Sequence, residues 1–472
     1  MSGIEQISVF GSGADGDLKF DNLGTIAAAS MSNGTGDLDL AYTAAAVVGK
    51  ADSQSLTVSN TTAGAFTANG IETLNITSSN TANSLASVTA APTINVSGDT
   101  ALTIAGALGT TTKTFNASAA KGAVKASFTA GADVTATGGE GNDVFTFAGG
   151  LTTKDIVNGG NGTDTVSITA GANRNFTGVT LTSVESVDVA ASATLSALDV
   201  KALGDTVGVT IRAGVNDKDV TVTNVGAGQT VTVVNDPTGG AVLELGDVAV
   251  TLESNVGAAD SASVALSSSK NLAAEIDKLT VDAGAESLAL SASGVTTAGA
   301  AYDVKSLVAA GAKTISLSGA GNFKTTLASG NIATEFDASS ATGELTLTES
   351  SATKITIKGS AGQNTIVMAG SLDNNDTIIG GASTKDSVSA TVAGSTAVSG
   401  KLNLTAIENL ALTATDGKTS VVDLSASSGV AAITVAASGA AGSGNLTLTG
   451  LAAGTTVSTT DQVTNDYDAT LN

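Results

Sequence analysis

The chain contains no cysteine, no histidine and no tryptophan, and only 2 prolines, 3 methionines and 3 tyrosines in 472 residues. Without thiols there is no disulfide framework, no Cys-ligated zinc and no thiol nucleophile. Without imidazole there is no Ser-His-Asp triad and no HExxH metalloprotease site. Basic residues are scarce too: Lys+Arg 20 stand against Asp+Glu 43, a net charge of -23. That balance argues against nucleic acid, whose phosphates need Lys and Arg, and against anionic lipid. No apolar run reaches the ~20 residues of a membrane span. The equipment left for holding a metal is oxygen, which suits calcium or magnesium.

What is present is small and aliphatic. The hydrophobic fraction is 42%, the aromatic fraction 3%, and there are 56 glycines. A mean hydropathy of +0.27 belongs to a folded chain rather than a disordered acidic one. Aliphatics alternate with threonine in Leu102-Thr103-Ile104, Val220-Thr221-Val222-Thr223, Thr230-Val231-Thr232-Val233, Leu345-Thr346-Leu347 and Leu446-Thr447-Leu448. This period of two reads as half-buried strands, with Gly, Asn, Asp and Ser clusters as turns every ~8–15 residues. Scarce proline fits an unbroken ladder. Two segments, 193–203 and 270–278, could hold two or three helical turns. Cores of Ala, Val, Thr and Gly must be thin, which parallel coils with tight turns satisfy better than an aromatic-filled sandwich.

Three repeats run through the chain. A strand motif with an acid at its second position recurs as Ile4-Glu5-Gln6-Ile7-Ser8-Val9, Ile71-Glu72-Thr73-Leu74-Asn75-Ile76 and Val184-Glu185-Ser186-Val187-Asp188-Val189. It returns as Ile276-Asp277-Lys278-Leu279-Thr280-Val281 and Ile407-Glu408-Asn409-Leu410-Ala411-Leu412. A glycine-polar step into a strand recurs at Gly16-Asp17-Leu18, Gly36-Asp37-Leu38, Gly343-Glu344-Leu345 and Gly444-Asn445-Leu446. At long range, Phe115-Asn116-Ala117-Ser118 matches Phe336-Asp337-Ala338-Ser339 at an offset of 336 − 115 = 221, which also carries Gly138 onto Gly359 and Gly159 onto Gly380. The offset predicts a duplicated block. The organisation read from these repeats is an N-terminal β segment (1–69), a first block (70–190), a connecting segment (191–270), a second block (271–412) and a C-terminal β segment (413–472).

The chemistry sits in two glycine turns. Gly138-Gly139-Glu140-Gly141-Asn142-Asp143-Val144-Phe145-Thr146 and Gly159-Gly160-Asn161-Gly162-Thr163-Asp164-Thr165-Val166-Ser167 both fit the nonapeptide G-G-x-G-x-D-x-U-x. Glycines permit a tight turn with inward carbonyls, Asp adds a carboxylate, and the apolar residue fills the coil. Stacked on one edge, the two turns would place a calcium ion among oxygens of both. The candidate ligands are Gly138, Glu140, Gly141, Asp143, Gly159, Asn161, Gly162 and Asp164. In the second block the turn 359–367 keeps the spacing with Asn364 in the Asp place. The turn 380–388 has one extra residue, so that Lys385 falls at the ligand position. These turns read as keeping the coil shape, with calcium binding as the weaker alternative. Weaker candidates are Asp15, Asp17, Asp37 and Asp39 at strand starts, whose plain alternative is a charged edge that discourages strand pairing.

The two nonapeptides resemble those of the repeats-in-toxin (RTX) group. Together with the Phe115-Asn116-Ala117-Ser118 step and the Ile-Glu-x-Leu strands in a Cys-free Ala/Thr/Ser/Val/Gly-rich chain, they are similar to RTX-type surface-layer proteins of the Caulobacter kind. The resemblance implies an all-β fold of parallel β-solenoid or β-roll segments with calcium-binding glycine-rich turns. It implies a structural rather than enzymatic role: calcium-dependent self-assembly into a surface lattice outside the cell after type I secretion. Contact with cell-surface polysaccharide would run through a region not in this chain. The specific motif covers about 30 residues, and neither an anchoring domain nor a clear type I tail is recognisable. The alternative is a secreted calcium-binding RTX adhesin or biofilm-matrix protein. A glycosidase is disfavoured, because sugar sites stack on aromatics and Trp is absent.

Overall fold

The structure is a computed structural model that describes residues 3–11, 13, 16–89, 91–213, 217–234, 244–257, 259–350, 354–369, 372–392, 401–415, 420–438, 444–460 and 467–471. Among these the sole helical element is one 3-10 turn, Lys201–Leu203. Every described ladder is parallel, and most strands pair with the next strand but one in sequence, a few with the third along. This is a β-solenoid: one strand on each face per coil, with the next coil laid alongside. The expected all-β parallel solenoid is therefore the fold observed.

The backbone packs as two units, each described by itself. One takes the chain up to Ser192 with Asp199–Thr210, the other Ala193–Leu198 with the described residues from Ile211. In the first, a nine-stranded sheet runs from Gln6–Phe10 to Thr180–Thr182. Its opposite face is a four-stranded sheet beginning at Leu18–Leu23, then a run of strands from Asn83–Leu85 to Ser186–Ala191. In the second unit one face runs from Thr230–Val234 to Asn403–Thr405 and the other from Lys218–Val225 to Thr456–Thr459. The 21-residue coil is the common step: Thr93, Thr114, Thr135 and Ile156 are ladder neighbours, as are Thr314, Glu335, Thr356 and Thr377. The two series differ by the 221 residues that separate Phe115 from Phe336.

The period of two does what it predicts. In Thr73–Ser79 the buried residues are Leu74, Ile76 and Ser78, while Thr and Asn alternate outward. Stacking turns each inward position into a column, such as Leu74, Ile94, Phe115, Ala136 and Val157. The largest residue, Phe115, is followed by the small Ala136, so bulk in one coil is offset in the next, as close packing between coils of fixed spacing requires. Phe115 and Phe336 are fully buried coil fillers, as expected.

The two helical segments are corrected. Residues 193–203 form the strand Leu195–Asp199 and then the 3-10 turn. Within 270–278 the strand Ala274–Val281 begins, paired on both sides with Glu244–Leu252 and Tyr302–Ala309. Two parallel neighbours satisfy its backbone groups, which outweighs weak local helix propensity.

Candidate metal centre

At each corner the chain leaves one face for the other, and some amides lose their ladder acceptor. Side-chain oxygens from the adjacent coil take them. Glu72 accepts the N–H of Asp52 at 2.9 Å, Glu185 that of Asp164 at 2.7 Å, Glu286 that of Asp260 at 2.8 Å and Glu408 that of Asp386 at 2.9 Å. In three copies of the strand motif, those of Glu72, Glu185 and Glu408, the acid is thus an acceptor for the preceding coil. Glu286 was missed because Ala285 stands where the motif has an aliphatic. The copy at Ile276 differs: it lies within a strand, and its Asp277 pairs with Lys305 at 2.8 Å.

The nonapeptide aspartates extend this column. Asp143 is fully buried. Its Oδ1 accepts from Val124 N at 2.6 Å and its Oδ2 from Gly139 N at 2.6 Å. Asp164 is 1% exposed, and its Oδ1 accepts from Asp143 N at 2.7 Å. Its Oδ2 is buried without a hydrogen-bond partner. Burial pushes the Asp164 carboxyl up to about 6; the Asp143 N–H opposes this, and the charges of Asp143 and Glu185 add to it. Asp143 is also raised by burial, against the Gly139 and Val124 amides.

The turn glycines are there for space more than for backbone angles. A Cβ on Gly138 would lie 1.9 Å from the Gly159 carbonyl oxygen and 2.3 Å from Asp143 Oδ2. One on Gly159 would lie 1.8 Å from the Ser183 carbonyl oxygen and 2.5 Å from Asp164 Oδ2. Only Gly160 (φ 103°) and Gly162 (φ 126°) use the positive-φ region. The cradle beside Gly159 is therefore lined by a bare carboxylate oxygen and a carbonyl oxygen, the donor chemistry of a hard cation. Among the described residues no group of three or more acidic side chains converges as a metal cluster. An ion here would draw mainly on backbone carbonyls. Asp164, Gly159 and Ser183 fit such an ion, whereas both oxygens of Asp143 already hold amides. Glu140, Asn161 and Gly162 are exposed and Gly141 is half-buried.

Two of the weaker candidates, Asp17 and Asp37, serve the same amide-capping role. Asp17 accepts from Asp37 N at 2.9 Å and Asp37 from Ala65 N at 2.7 Å, while Asp39 lies 3.7 Å from Lys19. Asp15 lies outside the described residues. A second column, with no sequence signal, repeats at the 221-residue offset. Asp155 caps Val134 N and Thr152 N, and Asp376 caps Ile355 N and Asp373 N.

Asp376 yields a test in acid. Burial raises its carboxyl, against the Asp373 and Ile355 amides. A carboxyl raised on folding stabilises fully below its unfolded value, and that contribution fades as pH rises through the folded one. In chelator, the melting-temperature lead of the wild type over Asp376→Asn should be largest below about pH 4 and shrink toward neutrality. A lead that grows with pH would contradict the assignment.

Comparison with protein families, with curated proteins and with solved structures finds no match for this chain. Among the described residues no helix is long and apolar enough to cross a membrane.

Proposed function

We propose that this chain is a calcium-dependent structural protein that self-assembles into a bacterial surface layer, outside the cell after type I secretion. The observation that carries the reading is Asp164 Oδ2: a buried, unpartnered carboxylate oxygen beside a carbonyl, in a glycine turn of a solenoid. A buried charge without a partner is unfavourable, and a cation supplies the partner. Binding to the folded state then stabilises it. Long parallel faces of Thr, Ser and Asn suit repeated side-by-side contact between copies. In this reading the chain builds rather than catalyses.

The test is assembly of the purified chain, within its longer parent if there is one, followed by light scattering and electron microscopy. Ordered sheets in millimolar calcium, dispersed by chelator, are expected. A chain that stays monomeric at every calcium concentration overturns the lattice reading.

A further inference from the structure

We propose that the turn Gly380–Asp386 is a second cation site, with Asp386 as its carboxylate ligand and a hard divalent cation such as calcium as occupant. The sequence pattern argues against it, since the extra residue places Lys385 where the ligand should be. The fold absorbs that residue in the exposed turn: Lys385 is exposed and Asp386 is fully buried.

The corner so formed matches the one at Asp164 group by group. Asp386 Oδ1 accepts from Asn364 N at 2.8 Å and from its Nδ2 at 3.1 Å, as Asp164 Oδ1 accepts from Asp143 N. Glu408 caps Asp386 N, as Glu185 caps Asp164 N. Asp386 Oδ2 is buried without a hydrogen-bond partner, as is Asp164 Oδ2. A Cβ on Gly380 would meet the Ala406 carbonyl oxygen at 1.8 Å and Asp386 Oδ2 at 2.6 Å, repeating the cradle of Gly159. The residues that supply those carbonyls, Ser183 (φ 49°) and Ala406 (φ 53°), both adopt the left-handed conformation. That backbone is unfavourable for a residue with a side chain other than Asn or Asp. Two corners thus share one backbone distortion and one bare carboxylate oxygen.

The groups facing Asp386 set the expected rank. Asn364 is neutral where the first corner has Asp143, so one negative charge fewer surrounds the ion. Glu408 remains, as Glu185 does at the first corner. The second site should bind calcium more weakly than the first.

The inference rests on the calcium reading of the first corner for the identity of the ion, and the experiment separates the two. Calcium is titrated into the full chain by calorimetry for the wild type, Asp164→Asn, Asp386→Asn and the double variant. Each single variant should bind one ion fewer than the wild type, with Asp386→Asn losing the weaker one, and the double variant should lose both. Hydrogen exchange on the unmodified chain provides a readout that no folding defect can obscure. Calcium should slow exchange at Glu408 and Asn409, whose amides bond to the Asp386 carbonyl, as well as at Glu185 and Ser186. If calcium protects only the first corner and Asp386→Asn binds as many ions as the wild type, the second site is refuted while the first stands. If the wild type shows no calcium response at either corner, both readings fall.

Discussion

Replacing Phe115 by alanine should cost the first unit about 3–5 kcal/mol. The ring is fully buried, with Ile94 and Ala136 beside it in the ladder. Phe128 and Phe145 meet it edge-on at centroid distances of 5.8 and 5.9 Å. Those edge contacts add to the area buried. The cavity cannot close, because parallel hydrogen bonds fix the spacing of neighbouring coils at about 4.8 Å. Ala136 on one side is already small. In a stacked architecture each coil is held mainly by its neighbours, so the damage should be local. Hydrogen exchange should quicken first in Thr93–Gly98 and Thr135–Thr137, with protection in the second unit unchanged. Phe115→Leu, which keeps most of the volume, should cost about 1 kcal/mol. An alanine variant that unfolds within about 1 kcal/mol of the wild type would refute the view that this ring fills the coil.

Much of this fold was legible because it follows from periodicity. Alternation in Leu345-Thr346-Leu347 sets which side is buried, and scarce bulk and scarce proline set thin, continuous ladders. The parallel solenoid follows from both. The corners were less legible, because there the spacing of residues along the chain stops being a guide. Lys385 stands at the ligand position by counting, yet one more residue fits in the exposed turn and Asp386 takes the buried place. Glu185 and Glu408 looked like marks of a strand start, and their work is on an amide of the coil before. Nothing local in Ser183 or Ala406 announces a left-handed residue. Such facts depend on which coil lies alongside, and parallel neighbours lie 19 or more residues away in the chain.

Asp143 separates amide capping from metal binding. Asp143→Ala would leave the amides of Val124 and Gly139 buried without acceptors, at a cost of about 2–5 kcal/mol. Asp143→Asn should cost about 1 kcal/mol, because the second unit contains the solution. There Asn364 Oδ1 accepts from Ser360 N at 2.8 Å, and its amide donates to the carbonyls of Ser360 and Gly362 at 3.0 and 2.9 Å. The amide of Leu345, which corresponds to Val124, bonds to the Gln363 carbonyl at 3.0 Å instead. A neutral side chain therefore holds this corner. At Asp164, Asn could still cap Asp143 N through its one oxygen but would present an amide to the cradle. Urea unfolding with and without calcium compares the three variants. Asp143→Ala should be the least stable in chelator and Asp143→Asn only mildly affected. Asp164→Asn should stand close to the wild type in chelator and lose the gain that calcium confers at that corner. If Asp164→Asn gains as much from calcium as the wild type does, Asp164 is a capping residue and the ion does not bind there.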